Sequence, residues 1–390
     1  MATVTLTDPP SAAGPRPFVL GFDPVMMLAV LGLCACSLVT LHTVTDVAPG
    51  YYMNRQAVYF AAGTVIALVL SRVDYSRLRG LKWGLYAFML GSLVAVMALG
   101  SVANGARRAI QFPFFSFQAS ELGKVLLTVV LASFLVDRAR RLHDRDTTAR
   151  TLLVALVPAA MVMIQPDLGS SLVYIVIVIA ILFVAGVSWR HFAALGALGA
   201  VAITCVLVAA PAAGVEVLHD YQKDRLTSFL NPSGSASKEA YQQEQSKAAI
   251  GSGEKTGRGD RATQTKYDFL PEHHTDFVFA VVGERWGFVG AAIVLSLYAL
   301  LIWRGLRTLT IAKDLFGVLL AGGIVAMLLF QVFINVGMTL GIMPITGIPL
   351  PLMSYGGSSV VTTFIAIGLL QSVAAQGRAA AAGKPRVLAF

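Results

Sequence analysis

Ten apolar runs dominate this chain, at roughly 25–44, 56–71, 81–100, 121–136, 151–164, 168–187, 191–211, 277–303, 314–341 and 357–376. Most approach the ~20 residues that a helix needs to cross the hydrocarbon core of a bilayer. In lipid, each backbone amide and carbonyl must be satisfied internally, which leaves helices or a closed barrel. Continuous apolar runs of this length read as helices. The expectation is an all-α polytopic membrane protein with about ten transmembrane helices. Composition agrees: 56% of residues are hydrophobic and 13% charged, where soluble domains carry about a quarter charged residues. The run at 151–164 is short enough to suggest a tilted or partly re-entrant segment, divided from the next by Gln165-Pro166-Asp167.

The 30 basic residues outnumber 21 acidic ones. In a membrane chain this excess reads as cytoplasmic loops under the positive-inside rule rather than as a nucleic-acid surface. With a cytoplasmic N-terminus, the inside loops collect Arg72, Arg77, Arg79, Lys82, Arg138, Arg140, Arg141, Arg145, Arg190, Arg304 and Arg307. The short outside loops hold only Arg55, Arg107 and Arg108. Both termini are then cytoplasmic, with tails at 1–24 and 377–390 flanking one membrane domain at 25–376. The proline-containing N-terminal tail lacks a cleavable signal pattern, so the first run reads as a retained span. Cys34, Cys36 and Cys205 all lie in apolar runs and match neither a disulfide framework nor a zinc site.

The segment 212–275, between spans seven and eight, is the polar outlier and a large extracytoplasmic loop on this topology. Its stretch 238–247 reads as an amphipathic helix, and the glycines from Gly251 to Gly259 as a flexible loop. The loop runs into Glu272-His273-His274-Thr275-Asp276 at the head of span eight. Asp276 suits a helix N-terminus, or a general base at the mouth of a membrane cavity. The adjacent histidines lack metal-site spacing, and no metal ligand is assigned. Glu121 and Lys124, three apart, share a helix face as an ion pair or as a ligand-binding pair. Arg107 and Arg108 are solvated charges or anion collectors, and Asp167 caps span six or contacts a ligand. Gln331, Asn335 and Thr339 form a polar stripe suited to helix–helix hydrogen bonding. The run Gly347-Ile348-Pro349-Leu350-Pro351-Leu352-Met353-Ser354-Tyr355-Gly356-Gly357 cannot be a lipid-facing helix. Irregular backbone at that depth is buried in protein or lines a wet cavity. These residues alone fit a transporter or an enzyme equally.

The segments Phe117-Gln118-Ala119-Ser120-Glu121-Leu122-Gly123-Lys124, Gln165 to Gly169, Phe269 to Phe277, Asn335 to Met338 and Gly347 to Ser359 resemble the SEDS (shape, elongation, division and sporulation) family in order and spacing. Thr263-Gln264-Thr265 looks RodA-like. The chain departs from the pattern at Ala109, where the family usually carries Trp, at Ser116, and at the charged Glu254-Lys255 within the glycine segment.

The resemblance implies a peptidoglycan glycosyltransferase of the bacterial cytoplasmic membrane, which polymerises lipid II in cell elongation and shape control. It implies a partner as well, a class B penicillin-binding transpeptidase. The α-linked donor and β-1,4 product require a single inverting displacement. On that chemistry Asp276 is the base, and Lys124 with Arg107 or Arg108 offsets the charge of the leaving pyrophosphate. Glu121, Asp167 and Ser354 complete the expected substrate contacts. A divalent cation (Mg or Mn) is a candidate cofactor. The competing expectations are a lipid II flippase and a non-catalytic scaffold for the transpeptidase.

Overall fold

The computed structural model describes residues 22–43, 50–103, 106–206, 211, 225, 229, 238–266, 269–270 and 272–382. The tails at 1–21 and 383–390 and most of 207–237 lie outside the described residues. Ten helices fall on the ten expected runs: α1 (Pro24–His42), α2 (Tyr51–Arg72), α3 (Lys82–Leu99), α4 (Ala119–Val136), α5 (Arg145–Ile164), α6 (Leu168–Val184), α7 (Trp189–Thr204), α9 (Val278–Ile311), α10 (Leu315–Thr339) and α11 (Gly357–Ala382). An eleventh, α8 (Lys238–Ser252), takes the place of the expected amphipathic segment. Eight of the ten are long and apolar enough to cross a membrane; α6 and α7 are shorter. Helix α5 is one of the eight, because it starts at Arg145 and runs 20 residues. A partly re-entrant segment is suggested there only when its apolar portion alone is counted.

Helices α4, α10 and α11 are buried over most of their length, while α2, α3 and α9 stand at the periphery. Their outward residues, such as Val58, Val65, Phe88 and Phe288, are apolar and exposed. That pattern is the inverse of a soluble protein and suits lipid as solvent.

One end of the bundle is stitched by ion pairs. Asp23 caps α1 by accepting from the Met26 amide, and it is 2% exposed. Its carboxylate accepts from Arg304 of α9 at 3.0 Å and Arg378 of α11 at 3.0 Å. Gln371 exchanges two hydrogen bonds with the Asp23 backbone. Asp314, the cap of α10, accepts from the Tyr75 hydroxyl, and Asp137 holds Arg79 and Lys82.

At the opposite end, a three-stranded antiparallel sheet links α3 to α4: β1 (Ser101–Ala103), β2 (Ala106–Gln111) and β3 (Ser116–Phe117). Hydropathy alone marks this stretch only as a loop between spans. Helix α9 also differs from expectation, because it is broken at Gly287 (φ 62°, ψ −154°). The glycine segment is ordered against this break. A Cβ on Gly253 would stand 1.9 Å from the Gly283 carbonyl, so backbone lies directly on backbone. The amides of Phe288 and Val289, orphaned by the break, donate to the carbonyls of Glu254 (2.9 Å) and Lys255 (3.1 Å). A helix break without such partners would leave amides unsatisfied at a cost of about 1–3 kcal/mol each.

Replacing Asp23 with Ala removes the α1 cap and strips two arginines of their shared carboxylate. A loss of about 3 kcal/mol is expected, read as a lowered thermal midpoint of the purified protein in detergent. Arg307→Ala, an exposed charge with no ion pair among the described residues, should leave the midpoint unchanged.

Candidate active site

Asp276 lies in a tight turn ahead of α9. The Glu272 carbonyl gathers the amides of Thr275 (3.1 Å), Asp276 (3.1 Å) and Phe277 (3.3 Å). To do so, Glu272 takes a left-handed backbone (φ 59°), a strained state for a non-glycine residue and one common at functional sites. The turn is pinned from three directions. Asn335 of α10 donates one amide group to the carbonyls of Asp276 (2.9 Å) and Ile348 (2.8 Å). The Ser354 hydroxyl donates to the Thr275 carbonyl, and the Tyr355 amide to the His274 carbonyl (2.9 Å). Tyr52 of α2 stacks on the His274 ring at 4.4 Å.

The 347–356 stretch is non-helical and buried in protein, as expected. Its polar backbone is satisfied by Gln56 at the Ser354 carbonyl (3.0 Å), Ser37 at the Met353 carbonyl (2.9 Å) and Ser354 at the Leu350 amide (2.8 Å). Gly347 (φ 72°) faces the carboxyl, for a Cβ there would lie 3.4 Å from Asp276 Oδ2. Ser354 is 1% exposed and fully engaged, so it supports the site from beneath.

The side chain of Asp276 keeps some access to solvent, but its crowded surroundings desolvate the carboxyl. Burial and the nearby Glu272 raise its pKa to about 6, and Asp167 adds to the rise. Arg225 and Arg108 act in the opposite direction. Arg225 Nη1 donates to the Thr346 carbonyl at 3.3 Å, and Arg108 Nη2 to the Pro166 carbonyl at 2.5 Å. Both arginines are partly exposed. Two cations thus act electrostatically on one desolvated carboxyl.

Asp167 caps α6 through the Ser170 amide (3.0 Å) and accepts from the Ser120 hydroxyl (2.9 Å). Ser120 leads to Glu121 and Lys124, whose ion pair is 2.5 Å long and only 2% and 1% exposed. The Lys124 ammonium is committed to Glu121 inside the bundle, behind Asp167. Arg107 lies on β2, and its side chain is outside the described part of the structure. Among the described residues, no three His, Cys, Asp or Glu side chains converge as a metal site.

Arg225 has no sequence signal, because one charge in a long polar loop lacks any periodicity to single it out. The strand bearing Arg108 was not expected, although Asn104-Gly105 is a two-residue hairpin pattern that could have signalled it.

A family model described as cell cycle protein (FtsW, RodA and SpoVE) matches residues 18–379. The peptidoglycan glycosyltransferase MrdB of Escherichia coli K12 is 36% identical, over 90% of this chain and 93% of that protein. RodA of Treponema pallidum is 33% identical, over 92% and 98%. The stage V sporulation protein E of Bacillus subtilis is also 33% identical, over 91% and 98%. A chain of a peptidoglycan synthase complex that coordinates polymerization and crosslinking superposes with a TM-score of 0.76, at 32% identity over 91% of this chain and 98% of that one. The rod shape determining protein RodA of Thermus thermophilus gives 0.66 at 30% identity, over 92% and 98%.

Asn335→Leu would leave the carbonyls of Asp276 and Ile348 buried without a donor. The expected cost is about 2 kcal/mol or more, measured as a lowered thermal midpoint in detergent. Exposed Phe333→Ala on the same helix should have little effect.

Proposed function

This chain belongs to the FtsW/RodA/SpoVE family of cell cycle proteins and is a multi-pass membrane peptidoglycan glycosyltransferase, and we propose that Asp276 is the general base of its polymerising step. The observation that carries this assignment is a desolvated carboxyl, raised to about 6, held in the strained Glu272 turn within the electrostatic reach of Arg225 and Arg108. A carboxylate of that basicity is mostly ionised at neutral pH yet accepts a proton more readily than an ordinary aspartate.

The substrate class is lipid II, a disaccharide-peptide α-linked to undecaprenyl pyrophosphate. The acceptor hydroxyl oxygen attacks the anomeric carbon from the face opposite the leaving group and gives up its proton to Asp276. The new C–O bond is β-1,4. The old anomeric C–O bond breaks with its electron pair on the pyrophosphate. Arg108 and Arg225 stabilise that developing charge, a role that suits these exposed cations better than the enclosed Lys124. The Glu121–Lys124 pair supports Asp167 through Ser120 and so acts on the site indirectly. Mg or Mn, where used, would be held largely by the pyrophosphate oxygens, as is common for Mg at phosphate substrates.

The active face is extracytoplasmic on this reading. Its support is the concentration of Arg79, Lys82, Arg138, Arg140 and Arg141 at the far end of the bundle, where the described residues Asp23 and Arg378 also lie. The likeness to a synthase complex supports a class B penicillin-binding transpeptidase as partner, crosslinking the strands that this chain makes. The RodA-like Thr263-Gln264-Thr265 favours elongation as the cellular setting.

Asp276→Asn should lower lipid II polymerisation by about 10²–10⁴-fold, scored as glycan strands from purified lipid II with and without the transpeptidase. Polymer at the wild-type rate would remove Asp276 from the mechanism. Lipid translocation by the wild-type chain in proteoliposomes without polymer would favour a flippase.

The pH profile gives a sharper check. Activity needs the ionised carboxylate, so the rate should fall as pH drops through about 6. Each arginine lowers the carboxyl's pKa, so Arg225→Ala should move this acid limb to higher pH. Glu272 raises it, so Glu272→Gln should move the limb to lower pH.

A further inference from the structure

A second polar cavity lies at the opposite end of the bundle from Asp276, in the cleft between α5 and α7. Its volume is about 690 Å³. His143 and Arg145 border it on one side, Arg190 and His191 on the other. The Thr148 hydroxyl shares a 2.9 Å hydrogen bond with His191 Nδ1, which fixes that ring at the cavity wall. Among the described residues neither Arg145 nor Arg190 has a carboxylate partner. Of the acidic neighbours, Asp146 is paired with Arg150 at 3.0 Å, and the exposed Asp144 at the start of α5 forms neither a side-chain cap nor an ion pair with either arginine among the described residues.

Below this basic mouth the cavity turns apolar, along Leu152, Leu195 and Leu198. Helix α7 meets its neighbours through side chains, His191 on Thr148 of α5 and Phe192 on Phe183 of α6. Trp189 stands at its entrance 75% exposed, tilted against Phe192 at 6.0 Å. An exposed tryptophan at a helix end suits the headgroup level of a bilayer. With the active face extracytoplasmic, this end meets the cytoplasmic leaflet, where anionic lipids collect under basic clusters.

We infer that the α5–α7 cleft binds an anionic glycerophospholipid of the inner leaflet, its phosphate held by Arg145 and Arg190 and its acyl chain lying on Leu152, Leu195 and Leu198. A free phosphate would satisfy the mouth but leave the apolar floor unfilled. A zwitterionic lipid would fill the floor but bring its own cation to the arginines. Only an anionic lipid matches both halves.

The test uses the purified, delipidated full-length protein in detergent, titrated with phosphatidylglycerol or phosphatidylcholine and read by native mass spectrometry. Phosphatidylglycerol should bind more tightly. Loss of each arginine should weaken it about fivefold, and Arg145→Ala with Arg190→Ala about thirtyfold. Arg145→Lys with Arg190→Lys should retain most of the binding, which separates lost charge from lost folding. Arg307→Ala serves as the control for general basic charge. Equal affinity for the two lipids would overturn the inference, as would an equal loss in Arg307→Ala. Displacement by millimolar inorganic phosphate would identify a plain anion site and overturn the lipid assignment. These outcomes leave the assignment of Asp276 untouched, since polymerisation is scored separately at the far end of the bundle.

Discussion

The Asn335 side chain donates to two backbone carbonyls from separate parts of the chain, those of Asp276 and Ile348. Neither carbonyl belongs to a regular helix, and neither could be left unpaired at this depth without substantial cost. Joining them on one donor sets the distance between the turn that carries Asp276 and the irregular 347–356 stretch. Ser354 and Tyr355 repeat the tie at Thr275 and His274. The geometry around Asp276 therefore rests on neutral hydrogen bonds in the core.

Around this centre the two ends of the bundle are built differently. The end with Asp23, Asp137 and Asp314 commits its carboxylates to arginine, lysine and tyrosine partners, closing the helices on one another. At the other end, Glu272 raises the cost of ionising Asp276, while Arg108 and Arg225 act in the opposite direction.

Much of this was legible in the residues. The apolar runs located the helices because lipid leaves the backbone no alternative. Asp276, Asp167 and Arg108 stood out because charge beside a span is expensive and so demands a reason. What stayed hidden depended on three-dimensional enclosure. Spacing made Glu121 and Lys124 an ion pair or a ligand-binding pair without choosing between them, and only the packing of the bundle shows the pair enclosed. Gly287 sits within an apolar run where a glycine is unexceptional, and its positive φ becomes necessary only once another segment supplies carbonyls to the broken turn. Arg225 comes to the site by way of the Thr346 carbonyl, a contact with no local pattern behind it.

The joint between the glycine segment and α9 is made of main chain. Gly253 approaches the Gly283 carbonyl, while Glu254 and Lys255 contribute carbonyls and leave their side chains exposed. Such a contact constrains composition unevenly: Gly253 cannot change without forcing the two stretches of backbone apart, Glu254 in its left-handed backbone (φ 47°) disfavours β-branched side chains, and Lys255 is constrained only through its carbonyl. Charged residues there need no functional explanation. They mark positions at which a lineage can drift while the joint itself stays the same.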